Sequence, residues 1–168
     1  MSYRSGFMVA ALLVVVTAAV DAQRRVPEQP AQATVPMVMN LKAGEKIYSF
    51  NGQGKCTHAP VAAIYGLRAE RWAAERTGDS LSATVAVWRP GSGSDLVSIA
   101  FTIGETLYSM STIKVGTNGT TEGSGTIAFA RTGAGGTFTV NGTAGNGTKI
   151  SGTVTCKAFT PAVAEGGD

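Results

Sequence analysis

Histidine is all but missing from this sequence: His58 stands alone in 168 residues. Cysteine is nearly as scarce, with only Cys56 and Cys156, and no C-x-x-C joins them. A closed zinc site therefore has too few ligands, and a thioredoxin-type redox pair is excluded. We expect no metal and no cofactor, and a solvated or structurally hydrogen-bonded role for His58. There is no G-x-S-x-G elbow to raise the prospect of a serine hydrolase. The run "GAGGTF" (133–138) lacks the Lys-Ser/Thr of a phosphate loop and leads into a strand pattern instead of a helix. Charge is sparse at 15%, and the net +3 is spread along the chain. Nucleic-acid binders carry a clustered basic stripe, so no nucleic-acid partner is expected. The carboxylates of the central region are Glu45, Glu70, Glu75, Asp79, Asp95, Glu105 and Glu122. A glycosidase needs two of them across a cleft, and the sequence pairs none.

The sequence opens with "MSYRSGFMVAALLVVVTAAVDAQRR". Arg4 precedes an apolar run over 7–20 that only Thr17 interrupts, and Val20-Asp21-Ala22 fits a small-residue cleavage site. This is the pattern of a secretory signal peptide over 1–22, too short and wrongly flanked for a spanning helix. The expected product begins at Gln23 and is periplasmic or secreted. Export puts both cysteines in an oxidising compartment, where one Cys56–Cys156 disulfide is the simplest outcome.

Residues 23–43 hold Pro27, Pro30 and Pro36 without a sustained period and read as a flexible lead-in. Residues 160–168 read as a flexible tail. Between them, 44–159 is expected to form the domain. Its strand patterns alternate with period two and one wet face. Leu81, Ala83, Val85 and Val87 share a face. So do Val97, Ile99, Phe101 and Ile103, and so do Ile150, Val154 and Cys156. In "TLYSMSTIKV" the alternation slips, and a bulge near Ser111 reconciles it. Turn signals lie at 89–95, 104–105, 116–123, 133–136 and 144–147. Asn-Gly pairs at 51, 118, 141 and 146 read as hairpin turns, because they tolerate positive φ. Three of them also match the N-x-T glycosylation pattern, a reading set aside for want of other signs of a eukaryotic pathway. Residues 61–76 fit helix by composition, yet Gly66 and Thr77-Gly78-Asp79 favour a strand from Leu67 to Arg76. We expect an all-β fold, an antiparallel sandwich or flattened barrel of seven or eight strands with one disulfide.

The one unusual constellation is Arg68, Arg71, Trp72, Arg76, Trp88 and Arg89. Arginine with tryptophan suits acidic polymers, glycans or a protein partner; ordinary packing and solubilising charge is the bland alternative. A two-residue turn at Gly78-Asp79 would set Trp72 opposite Val85 and Arg71 opposite Ala86. Trp72 then joins the core, and Trp88 joins Arg71 on the wet face beside Arg89. Arg71, Trp88 and Arg89 form the expected binding surface.

The segments "VWRPGSGSD", "GSGTIAF", "GGTFTVNG" and "GTKISGTVTCKAF" resemble a group of uncharacterised secreted bacterial proteins. An upstream cysteine, a W-R-P strand end and a terminal G-T-x-x-C-x-x-F strand carry the likeness, over roughly 54–159. The paired cysteines and "GTVTC" are also similar to the mycobacterial nineteen-kilodalton lipoprotein antigens, small exported adhesin-like β proteins. This chain lacks their lipid-attachment cysteine, so surface anchoring does not carry over. Neither resemblance transfers a catalytic residue. The expected function is an exported non-catalytic binding or structural module of the cell envelope or extracellular space. A carrier of small apolar ligands and a carboxylate-based hydrolase are the alternatives.

Overall fold

The computed structural model describes residues 32–78, 82–115 and 120–162. The segment 1–22 read as a signal peptide, the Gly78-Asp79 turn beyond Gly78 and the Asn118-Gly119 pair lie outside those residues. The described chain is all-β: β1 (Val35–Ala43), β2 (Lys46–Ile64), β3 (Leu67–Arg76), β4 (Ala83–Pro90), β5 (Leu96–Ile103), β6 (Thr106–Val115), β7 (Thr120–Glu122), β8 (Ser124–Thr132), β9 (Gly135–Thr143), β10 (Lys149–Cys156) and β11 (Thr160–Pro161). They form one eleven-stranded sheet in the order β7-β6-β5-β4-β3-β2-β1-β10-β9-β8, with β11 added beside β2. Every pairing is antiparallel except the parallel β11–β2 contact. These eleven strands, in a sheet curled into a half-barrel, replace the expected sandwich or flattened barrel of seven or eight.

Two of the additional pieces come from segments read as flexible. Residues 35–43 are not lead-in. They are β1, with Met37, Met39, Leu41 and Ala43 buried on the inner face and Asn40 and Lys42 exposed. Pro36 is tolerated because it sits at the start of the strand. Residues 160–161 are not tail either. Thr160 and Pro161 pair with Thr57 and His58. β3 occupies Leu67–Arg76, the limits expected for a strand there.

Alternation fills the inner face. Tyr48, Trp72, Val85, Val87, Ile99, Phe101, Met110, Phe138, Ile150 and Val154 are all buried there. In-strand glycines make room for Phe50 and Met110. A Cβ on Gly52 would stand 2.9 Å from the Phe50 ring, and one on Gly142 would strike the Met110 sulfur. Asn51-Gly52 and Asn141-Gly142 therefore lie inside β2 and β9, not in turns. Asn146-Gly147 is a turn, with Gly147 at φ 82°. The slip in β6 is present too: the β6–β7 register shifts between Ser111 and Val115.

The β3–β4 register differs from expectation by two residues. Trp72 pairs with Val87 instead of Val85, and Arg71 with Trp88 instead of Ala86. The connection runs from Arg76 to Ala83, longer than a two-residue turn. A shift of two preserves the faces, since strand side chains alternate. Trp72 is accordingly core and Trp88 lies on the outer side with Arg71.

The disulfide is Cys56–Cys156, with Cα atoms 6.2 Å apart. It sits where β1 gives out. β1 begins at Val35, opposite Gly54, so β2 runs past it with an open edge. The bridge holds the end of β10 against that edge. Residues 157–162 then cross it: the Lys157 amide donates to the Pro36 carbonyl, the Thr160 hydroxyl to that of Cys56, and the Ala162 amide to that of His58.

Candidate functional site

Inner-face positions near one end of the curled sheet carry polar groups instead of aliphatic ones. On β2, His58 is in phase with Cys56. On β3, Glu70 is in phase with Trp72 and Ala74. On β4, Arg89 is in phase with Val85 and Val87. On β8, Arg131 is in phase with Ile127 and Phe129. Strand alternation thus delivers four polar side chains to one rim above an aromatic floor.

The floor is Trp72, Phe129, Phe138 and Phe159. Trp72 stacks on Phe129 with centroids 4.8 Å apart and meets Phe159 edge-on at 4.8 Å. Phe129 packs on Phe138 at 4.7 Å. Phe159 comes from the C-terminal crossing segment, held by its amide on the Ala134 carbonyl. His58 lies nearly parallel to Trp72, 3.7 Å from its centroid, and its Nε2 is 2.8 Å from Glu70 Oε1. This histidine is structurally hydrogen-bonded.

Two guanidinium groups complete the rim, and their surroundings differ. Arg89 Nε donates to Asp95 at 3.2 Å, Nη2 donates to the Phe129 carbonyl at 2.9 Å, and the group lies 5.6 Å from the Phe129 centroid. Its charge is neutralised and it ties β4 to β8. Arg131 is exposed, lies 5.3 Å from the Trp72 centroid and donates to the Gly133 carbonyl. No carboxylate among the described residues pairs with it. Trp72 Nε1, beneath, is buried without a hydrogen-bond acceptor among those residues.

The constellation expected as one surface is split. Arg71 and Trp88 face outward together, the guanidinium 5.6 Å from the indole. Arg89 faces inward, because it is the next residue along the strand. Arg76 also points inward, 4.8 Å from the Phe50 ring. Its charge opposes the effect of burial, which pushes the Tyr48 hydroxyl above its ordinary pKa. Arg68 is exposed near the β2–β3 turn. Sequence reasoning did not single out Arg131 or pair His58 with Glu70. The alternation of β8 carries the signal for Arg131, but "GTIAFART" gives no hint that its inner face opposes β3.

The tryptophans can be told apart in solution. Acrylamide is expected to quench the Trp72→Phe variant, which keeps the half-buried Trp88, more steeply than Trp88→Phe, which keeps the buried Trp72. Equal quenching constants would contradict the inner and outer placement.

Compared with family models, curated proteins and solved structures, the chain has no significant match. The chemistry must be read from the side chains. Glu70 binds His58, Glu75 binds Thr77, Asp95 binds Arg89 and Glu122 binds Ser109, so these carboxylates are dispersed onto separate partners. Among the described residues no three His, Cys, Asp or Glu side chains gather as a metal site. No helix among them is long and apolar enough to cross a membrane.

Proposed function

We propose that this chain is an exported non-catalytic binding module. Its ligand is an acidic polymer or glycan of the envelope or extracellular space, received at the rim of His58, Glu70, Arg89 and Arg131. The observation that carries this reading is Arg131: an exposed guanidinium laid over Trp72, with no carboxylate partner among the described residues. Such a planar cation offers a donor fork to a carboxylate or sulfate. The Cys56–Cys156 bridge suits an oxidising compartment. The interior is occupied by Met37, Met39, Leu41, Tyr48, Phe101 and Phe138, which favours a module over a carrier with an internal pocket. The dispersed carboxylates give a two-carboxylate hydrolase no support.

Calorimetric titration with a polyuronate, against a neutral polysaccharide of matched length, tests this. The acidic polymer alone is expected to bind, and more weakly as salt rises. Arg131→Ala is expected to lower affinity about tenfold, the loss of one charge-assisted contact, with the melting temperature preserved. If Trp88→Ala weakens binding and Arg131→Ala does not, the ligand lies on the outer Arg71–Trp88 face and the rim assignment fails. If neither polymer binds, the whole reading fails.

A further inference from the structure

The β2–β3 hairpin reaches beyond the rest of the sheet. β4 pairs with β3 only as far as Ala69, and β11 pairs with β2 only at Thr57 and His58. Past a register shift between Ala59 and Ala62, the strands pair through Ala62–Ala69, Ala63–Arg68 and Ile64–Leu67, and beyond Ala69 they pair only with each other. Residues 61–68 are therefore a two-stranded finger. Its end is a two-residue turn with positive φ at both positions, Tyr65 at 45° and Gly66 at 80°. That is the type I′ geometry, in which the first position normally takes Asn, Asp or Gly. Tyrosine is a poor choice there for local stability. It is also 71% exposed, with Val61 at 60% and Leu67 at 53%.

The finger carries no acidic residue, and residues 60–67 carry no charge at all. Behind the apolar end stands Arg68, exposed. The nearest carboxylate along either strand, Glu70, is turned inward onto His58. Apolar side chains at a tip, with a tyrosine among them and a cation just behind, make an arrangement that suits a bilayer surface. Aliphatic groups enter the acyl boundary, the phenol sits at headgroup level and the guanidinium meets lipid phosphates. A second protein fits less well. A specific interface buries about 800 Å² on each partner, and a narrow finger offers a small part of that.

We propose that the 61–68 finger is a membrane-contact element that inserts Tyr65 and Leu67 shallowly into an anionic lipid surface. None of residues 61–68 belongs to the rim and the two tests use different ligands, so this inference and the polymer-binding reading can fail independently.

The test uses the full chain with vesicles of phosphatidylglycerol and phosphatidylcholine whose acyl chains carry bromine, a contact quencher of tryptophan. The apolar stretch at 7–20 can itself hold the chain on a vesicle, so site-specific quenching is the readout. The Tyr65→Trp variant is expected to be quenched markedly more than the wild type, which reports only Trp72 and Trp88. The excess should fall when phosphatidylglycerol is omitted or Arg68 is changed to Glu. Leu67→Ser, added to Tyr65→Trp, should keep the melting temperature and remove about half of the excess, because less apolar surface enters the acyl boundary. Tyr65→Asn suits the turn better, so it should keep or raise the melting temperature of the chain. Quenching of Tyr65→Trp no greater than wild type overturns the proposal. So does shielding of that tryptophan from acrylamide, without vesicles, as protein concentration rises, because a second copy would then cover the tip.

Discussion

Trp72→Ala is expected to lower the unfolding free energy by about 3–5 kcal/mol, the range for removing a large buried aromatic side chain. Trp72 is 3% exposed, and it joins layers that no strand pairing joins. It belongs to β3, yet it packs on Phe129 of β8 and on Phe159 of the C-terminal crossing. Its loss removes the apolar contacts and leaves a cavity that rigid strands cannot close. His58 would also lose the ring beneath it. Urea unfolding followed by circular dichroism measures the effect, with the midpoint falling and the slope unchanged. A loss under about 1 kcal/mol would show that the site collapses without cost and that the aromatic floor is not a structural unit.

Cys156→Ser is expected to cost about 2–5 kcal/mol, the usual penalty for losing a native bridge. The bridge spans a sequence separation of 100 residues. A loop of that length confines the unfolded chain by about 4–5 kcal/mol in the entropy model. Cys56→Ser should match it, and the double substitution should add little, since both remove the same constraint. The structure adds a local consequence. The crossing segment is held by single hydrogen bonds at Lys157, Phe159, Thr160 and Ala162. Without the bridge, the Lys157 and Ala162 amides should exchange with solvent well before those of β9 and β10. Full protection at Ala162 would mean that the parallel β11–β2 pairing stands without the disulfide.

The rim is only partly legible in the sequence. Arg89 stands out there, but beside Trp88, its neighbour along the chain. Adjacent residues in a strand point to opposite sides, so the pair cannot share one surface. Arg71 and Trp88 do share one, because they sit directly across a ladder. The asparagine–glycine pairs mislead for a different reason. Glycine serves where φ is positive and also where a neighbour needs the space of a Cβ. Gly147 is the first kind, and Gly52 and Gly142 are the second. Composition cannot separate them, because the neighbour that fills the space can come from a distant strand: Met110 over Gly142 belongs to β6.

Period-two alternation determined locally that the chain is β, which residues turn inward along each strand, and that Trp72 belongs to the core. These properties depend on a residue and its immediate neighbours, and a register error of two residues left them intact. The bridge was equally legible, because two cysteines allow one intramolecular pairing. Only the tertiary structure decided how many strands there are, since β1 acquires its ladder from β2 and β10, and β11 acquires its pairing from the open edge of β2. It alone decided that Arg131 lies over Trp72, because the curl of the sheet, not any spacing along the chain, brings β8 across from β3. Which strands face each other is a global packing solution, reached when all the inner side chains are buried together.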